Sequence, residues 1–442
     1  MIRHFFKKST GTLLLAAVLL LPTNLEAQKT YEPTPGNLKA RQDFANSKFG
    51  VFIHWGIYSM FAQGEWFLET SGLKRDEYAK AASGFYPSRF DARAWVKAIK
   101  QSGAKYICFT TRHHDGFSMF NTKQSSYNII DATPFKRDIV KELADACHAE
   151  GIKIHFYYSH LDWTRDDYPI GGGSGHRSGR TGKGNWASYS KFMNAQLTEL
   201  LTNYGEVGAI WFDGWWDHRG DSIPFDWHLE EQYKLIHSLQ PSCLIGNNHH
   251  VDPFDGEDFQ LFERDLPGEN KAGYSGQAVD KHLPLETCET MNGSWGYNAT
   301  DQKFKTPKEL IHYLVKAAGK GANLLLNVGP QPNGEIPMQS LMGLKAMGEW
   351  TSKYGATIYG TKAGDIPASA WGVTTRNGNK LYVHILSLDT TSLTLPLTAK
   401  VKKAICFADK SKVQFKQTKQ GVTLSFTAKP QEIDYVVELT TK

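Results

Sequence analysis

The residues with the clearest chemical potential lie in Ala209-Ile210-Trp211-Phe212-Asp213-Gly214-Trp215-Trp216-Asp217, where an apolar run ends on a carboxylate among three tryptophans. A carboxylate can attack or stabilise an anomeric carbon, and flat indole faces suit the C–H faces of a sugar ring. Breaking a glycosidic bond also needs a second carboxyl group that holds a proton near neutral pH. Glu263, in Asp258-Phe259-Gln260-Leu261-Phe262-Glu263-Arg264, has apolar neighbours that would raise its pKa by desolvation. Glu286, in Leu285-Glu286-Thr287-Cys288-Glu289, precedes the aromatic and glycine segment Gly293-Ser294-Trp295-Gly296-Tyr297 and is the second candidate. Glu257 reads as a solvated loop charge.

Imidazoles can donate to or accept from sugar hydroxyls, and the pair His113-His114 in Arg112-His113-His114-Asp115-Gly116-Phe117 can engage neighbouring ones. These histidines could instead join His54 and His160 around zinc. The chain has no His-x-His pair after the first strand, no His-Glu-x-x-His helix and no Cys-x-x-Cys pair, so a zinc hydrolase is the weaker alternative. The expectation is a site with neither metal nor cofactor. A barrel that binds sugar without cleaving it is the other alternative, because aromatic-rich clefts serve both purposes. His155, inside a strand pattern, reads as a core histidine.

These groups need elements to hold them. Asp213 ends a run that reads as a buried strand, at the lip where parallel α/β barrels carry their chemistry. Further strands are expected at Phe49–Trp55, Tyr106–Thr111, Ile152–Tyr158, Leu244–Asn248 and Asn323–Val328. Helical spacing marks Ala92–Gln101, Asp138–His148, Ser188–Tyr204 and Leu310–Ala318. Alternation of this kind signals βα units around a parallel sheet. His54, His113, His114, His160, Asp213, Asn247 and Asn248 all fall just past strand ends, where a barrel gathers them at one mouth.

After Gly355, helical periodicity gives way to short alternating segments such as Lys380–Leu386 and Gly421–Phe426. The expected organisation is a (β/α)8-like TIM barrel over 28–360, followed by an antiparallel β-sandwich over 361–442. A chain of 442 residues accommodates both. The glycine-rich tract 171–184 is a loop by composition; Gly184 after Lys183 rules out a P-loop, and the tract follows a strand, so it can flank the mouth. A net charge of +5 without a long basic block argues against a nucleic-acid partner. Arg3, Lys7 and Lys8 ahead of the short apolar run 13–21 read as an export signal over residues 1–27, cleaved after Ala27. The mature protein is then periplasmic or secreted, with no membrane contact after cleavage. The five cysteines are widely spaced and read as buried small hydrophobes.

The chain resembles an α-L-fucosidase of glycoside hydrolase family 29. The resemblance rests on Lys48-Phe49-Gly50-Val51-Phe52-Ile53-His54-Trp55-Gly56, Gly64-Glu65-Trp66-Phe67, Arg112 to Phe117, Tyr157-Tyr158-Ser159, Trp211-Phe212-Asp213-Gly214, Ser294-Trp295-Gly296-Tyr297 and Asn323 to Pro330, in family order. It implies a barrel followed by a β-sandwich, and a metal-free retaining double displacement that removes terminal α-L-fucose from a fucosylated oligosaccharide or glycoconjugate. Asp213 matches the family nucleophile. His54, Glu65, Trp66, His113, His114, Tyr158, Trp211 and Trp295 match motif positions that bind the sugar. Aligning Asp258-Phe259 with a family Asp-Phe pair brings Glu263 into register as acid/base, with Glu286 as the alternative. Many members have Asn-Asp-Arg where this chain has Asn247-Asn248-His249, which makes His249 a candidate sugar contact. Loops 168–186 and 249–280 are where contacts to the rest of the glycan would fall.

Overall fold

The computed structural model describes residues 31–222 and 224–442; the export signal read from residues 1–27 lies outside them. Among the described residues, eight strands form one parallel sheet: β1 (Phe49–Ile53), β2 (Tyr106–Arg112), β3 (Lys153–Ser159), β4 (Ala209–Asp213), β5 (Leu244–Asn247), β6 (Gln260–Glu263), β7 (Leu285–Thr290) and β8 (Ala322–Val328). Their order, β5-β4-β3-β2-β1-β8-β7-β6, brings the two end strands, β5 and β6, back to each other in a nearly closed (β/α)8-like barrel. Asp258, just ahead of β6, bridges that seam. Its backbone N–H donates to the Ile245 carbonyl at 2.7 Å, and its carboxylate accepts the Ile245 N–H at 2.8 Å. Arg41, at 2.7 and 3.0 Å, and His237, at 2.9 Å, hold the same carboxylate.

Strands such as β1 are apolar on both faces because one face lines the barrel interior and the other meets the helices. Along β3, Phe156 and Tyr158 pack outward into the helix layer, whereas Tyr157 faces inward with Phe52, Cys108 and Trp211. Phe44, on the helix Pro35–Ser47, fills the N-terminal end against Tyr106 and Phe259, at centroid distances of 5.4 and 4.7 Å. Gly50 makes room for this aromatic filling: a Cβ there would stand 2.4 Å from the Tyr106 ring. The outer helices carry local start signals. Asp91 caps Ala92–Gln101 by accepting the Ala94 N–H, and Thr306 and Glu309 form a capping box on Pro307–Gly319. The five cysteines are buried and unpaired.

Residues 362–441 form a five-stranded and a three-stranded antiparallel sheet. Leu381, Val383, Leu395, Val422, Leu424 and Val437 share a separate apolar core, as expected of a sandwich whose inner faces interdigitate.

Candidate active site

The parallel register of β3 and β4 sets Tyr157 beside Trp211 and Ser159 beside Asp213. Side chains alternate along a strand, so Tyr157, Trp211 and Asp213 face the barrel axis together. They line a cavity of about 480 Å3 at the C-terminal mouth, within the size range of small-molecule sites. The same alternation corrects the expectation for Tyr158. It points into the helix layer, where its hydroxyl donates to Gln196 Oε1 at 2.7 Å, and it does not reach the cavity. Tyr157 stands in the cavity instead.

Asp213 is heavily hydrogen-bonded. Its Oδ1 accepts the Gly214 N–H at 2.8 Å and the Trp216 indole N–H at 2.9 Å, and its Oδ2 accepts the Tyr157 hydroxyl at 2.9 Å. Burial raises its pKa, while donation from Trp216, Tyr157, Gly214 and Asn248 works against that rise and favours the ionised form. Glu263, the last residue of β6, shares the cavity. Burial pushes its carboxyl up to about 7, with the charge of Asp213 adding to the rise. One amide touches both groups: Asn248 Nδ2 lies 2.9 Å from Glu263 Oε2 and 3.4 Å from Asp213 Oδ1. Two carboxyl groups in one cavity, one held by four donors and the other raised by burial and by the charge of the first, can divide the roles of nucleophile and proton donor.

Neighbouring contacts fix the tautomers of two histidines. Asn327 donates its Nδ2 to the Trp295 carbonyl, which leaves its Oδ1 to accept from His54 Nδ1 at 2.6 Å. Ser159 donates to the Leu161 carbonyl, so its Oγ accepts from His114 Nδ1 at 2.7 Å. Each ring therefore carries its proton on Nδ1 and has a bare Nε2 that can accept from a hydroxyl. Burial lowers both pKa values to about 3, so the rings are neutral at physiological pH. His114 Nε2 stands 3.5 Å from Asp213 Oδ2, close enough for one hydroxyl to contact both. Burial also drives His113 well below its ordinary range, and its ring stacks on Tyr157 at 5.3 Å.

Glu65 and Trp66 reach the cavity from the connection between β1 and β2. Glu65 Oε2 accepts the Gly296 N–H at 2.7 Å, which ties that connection to the segment after β7. Trp66 stacks with Trp216 at 5.8 Å and meets His114 edge-on, while Trp295 leans over His54 at 5.2 Å. These rings supply apolar walls between polar atoms. The loop 168–186 braces the turn that carries Trp216: Ser174 and Tyr168 both donate to Asp217, at 2.7 and 2.8 Å.

Three further expectations are corrected. His249 turns away from the cavity and pairs with Glu257 at 3.0 Å, against Phe254. Its neighbour His250, with a left-handed backbone at φ 62°, lines the cavity instead. Glu257 is accordingly buried, accepting from Tyr233 as well, and is not a solvated loop charge. Glu286, near the start of β7, lies beneath the cavity, where it accepts the Trp211 indole N–H at 3.0 Å and the Tyr106 hydroxyl. It does not line the cavity, so it can contact neither substrate nor leaving group directly. His160, the remaining candidate zinc ligand, bonds to Gln232 at 2.6 Å behind Phe212. Among the described residues, no group of three or more His, Cys, Asp and Glu could hold a metal ion.

Several cavity residues carried no assigned role in the sequence. Trp216 lies inside the Asp213 segment, Tyr157 stands beside the residue chosen, and Asn248 follows the strand-end pattern. Arg264, whose guanidinium lies over Trp295 at 5.2 Å and donates to the Gly293 carbonyl, has no comparable signal beyond adjacency to Glu263.

The profile of the alpha-L-fucosidase family matches residues 18–356. The chain is 29% identical over 411 residues to the alpha-L-fucosidase of Dictyostelium discoideum, covering 84% of each. Among solved structures, alpha-L-fucosidase isoenzyme 1 from Paenibacillus thiaminolyticus has a TM-score of 0.80 at 35% identity, with 92% of this chain and 100% of that one covered. A glycoside hydrolase family 29 alpha-L-fucosidase from Bacteroides thetaiotaomicron, a trapped covalent intermediate in complex with 2-fluoro-fucosyl fluoride obtained with a Glu-to-Gln mutant, has a TM-score of 0.79 at 28% identity. It covers 91% of this chain and 96% of its own.

Proposed function

The chain belongs to the alpha-L-fucosidase family, and from that premise we propose that it is an exported retaining α-L-fucosidase with Asp213 as nucleophile and Glu263 as acid/base. In the first step an Asp213 oxygen attacks C1 of α-L-fucose. The C1–O bond breaks, and Glu263 gives its proton to the departing oxygen. In the second step Glu263, now ionised, takes a proton from water as the water oxygen bonds to C1 and Asp213 is released. Fucose leaves with its α configuration.

The observation that carries this reading is the shared Asn248 amide. Each carboxyl group has an oxygen within reach of one nitrogen, at 2.9 and 3.4 Å, which sets the two side by side in the manner of the close pair a retaining enzyme uses. The environments also divide the roles, since Glu263 holds its proton to about 7 while four donors favour ionised Asp213. The trapped covalent intermediate of the Bacteroides relative supports a two-step course by analogy. Neutral His54 and His114, with their bare Nε2 atoms, accept from fucose hydroxyls, and the tryptophan walls meet its C–H faces and C5 methyl. Export rests on Arg3, Lys7, Lys8 and the apolar run 13–21, and makes the mature enzyme periplasmic or secreted.

Proton NMR of 4-nitrophenyl α-L-fucoside hydrolysis tests the mechanism. The first-formed sugar should be the α anomer. Asp213→Ala should lower kcat by orders of magnitude, and azide should restore part of it as β-fucosyl azide. Initial release of β-fucose, or near wild-type turnover by Asp213→Ala, would overturn the assignment.

A further inference from the structure

Tyr274 is 48% exposed, unusual for a large aromatic ring, and it stands at the rim of the cavity. One face of the ring is supported by His250, stacked at 5.6 Å with 28° between planes. His250 in turn connects the rim to the chemistry, with its Nε2 3.6 Å from Glu263 Oε2. Arg264, on the same wall, spends one N–H on the Gly293 carbonyl and has further guanidinium donors beside the cavity. Thus an apolar ring face and a fork of hydrogen-bond donors both line the cavity beside the acid.

The direction of departure follows from the proposed reaction. A proton donor must reach the leaving oxygen, so the group attached to that oxygen passes on the Glu263 side of the mouth. His250, Tyr274 and Arg264 occupy that side. We propose that Tyr274 and Arg264 form the subsite for the sugar that carries the fucose, a pyranose whose apolar C–H face rests on the Tyr274 ring and whose hydroxyls accept from Arg264. His250 is the positioning residue that holds the Tyr274 ring. This inference rests on the fucosidase reading with Glu263 as acid, and it adds a determinant of which glycan is cleaved.

Substrates with and without a sugar leaving group separate the two ideas. α-L-Fucosyl fluoride releases only fluoride and leaves the proposed subsite empty. Fucosyl disaccharides linked α1,2 to galactose or α1,3, α1,4 or α1,6 to N-acetylglucosamine fill it. On whichever disaccharide the wild type cleaves fastest, Tyr274→Ala should lower kcat/KM by roughly 2- to 12-fold, mainly through KM, the size expected for one aromatic contact. The same variant should act on fucosyl fluoride at the wild-type rate, and Tyr274→Phe should match wild type on both substrates. Equal losses on fluoride and disaccharide, an unchanged disaccharide rate, or a wild type that cleaves the fluoride but none of the disaccharides would overturn the subsite. Failure of the wild type to hydrolyse fucosyl fluoride would instead overturn the fucosidase reading.

Discussion

Asn248→Leu removes the one donor shared by the two carboxyl groups while nearly preserving side-chain size. The Asn248 Oδ1 has no partner among the described residues, so the substitution deletes the donor and little else. Donation from Nδ2 at 2.9 Å favours ionised Glu263 and holds its pKa below the value that burial and the Asp213 charge would otherwise set. A hydrogen bond to a charged group contributes about 1.5–3 kcal/mol, and one pKa unit is about 1.36 kcal/mol. Losing it should therefore raise the Glu263 pKa by about 1–2 units, from about 7 to about 8–9. The acid would then remain protonated to higher pH. The basic limb of the kcat/KM profile should move up by the same amount. A fucosyl disaccharide is the right substrate, because a sugar leaving group needs the proton, and the profile should run at constant ionic strength. Glu263→Gln is the control and should abolish the limb. A limb that stays in place, or moves to lower pH, would refute both the shared contact and the assignment of Glu263 as acid.

Glu286→Leu should lower stability by about 1–3 kcal/mol for each buried donor left unpaired at Trp211 and Tyr106, and azide should not restore its activity. Urea unfolding measures the first effect, and azide rescue would reopen a direct catalytic role. Burial raises the folded-state pKa of Glu286 from 4.5 to about 7, so its stabilising contribution is full below 4.5 and is lost as pH rises through 7. Glu286→Gln should remove that dependence, gaining on the order of 2–3 kcal/mol relative to wild type between pH 5 and pH 8; parallel pH–stability curves would contradict it. Asp258→Ala should lower stability by about 3 kcal/mol, because it strips the seam between β5 and β6 of its side-chain bridge and removes the carboxylate that Arg41 and His237 share, leaving Arg41 with Asn37 and His237 with the Tyr31 hydroxyl. An unchanged urea midpoint would show that the seam is held by other contacts.

Much of the barrel is legible in the chain. The spacing of Trp95, Val96 and Ile99 marks the helix that runs Ala92–Gln101, and the runs at Phe49, Tyr106, Ile152, Ala209, Leu244 and Asn323 mark six of the strands. β6 and β7 are hidden, because Gln260, Glu263, Glu286, Thr287 and Glu289 interrupt the apolar pattern. Polar residues fall on both faces of those strands, Glu263 and Glu286 inward and Gln260, Thr287 and Glu289 outward, so the usual mark of a buried strand is missing where the barrel carries its carboxyl groups.

From the chain alone it follows that Asp213 ends a buried strand among indoles, that histidines follow several strand ends, and that a β-rich unit follows the barrel. Local pattern suffices for each of these. It does not choose between adjacent residues that both suit burial. Tyr157 and Tyr158 differ only in which face of β3 they occupy, and both faces are apolar, so the barrel register makes the choice. His249 and His250 are separated by the left-handed backbone at His250, which sends one ring to Glu257 and the other to the cavity. Glu263 and Glu286 are both raised to about 7 by burial. Depth along the strand distinguishes them. Glu263 ends β6 at the mouth and Glu286 lies near the start of β7 beneath Trp211, a difference that exists only once parallel strands close around a common axis.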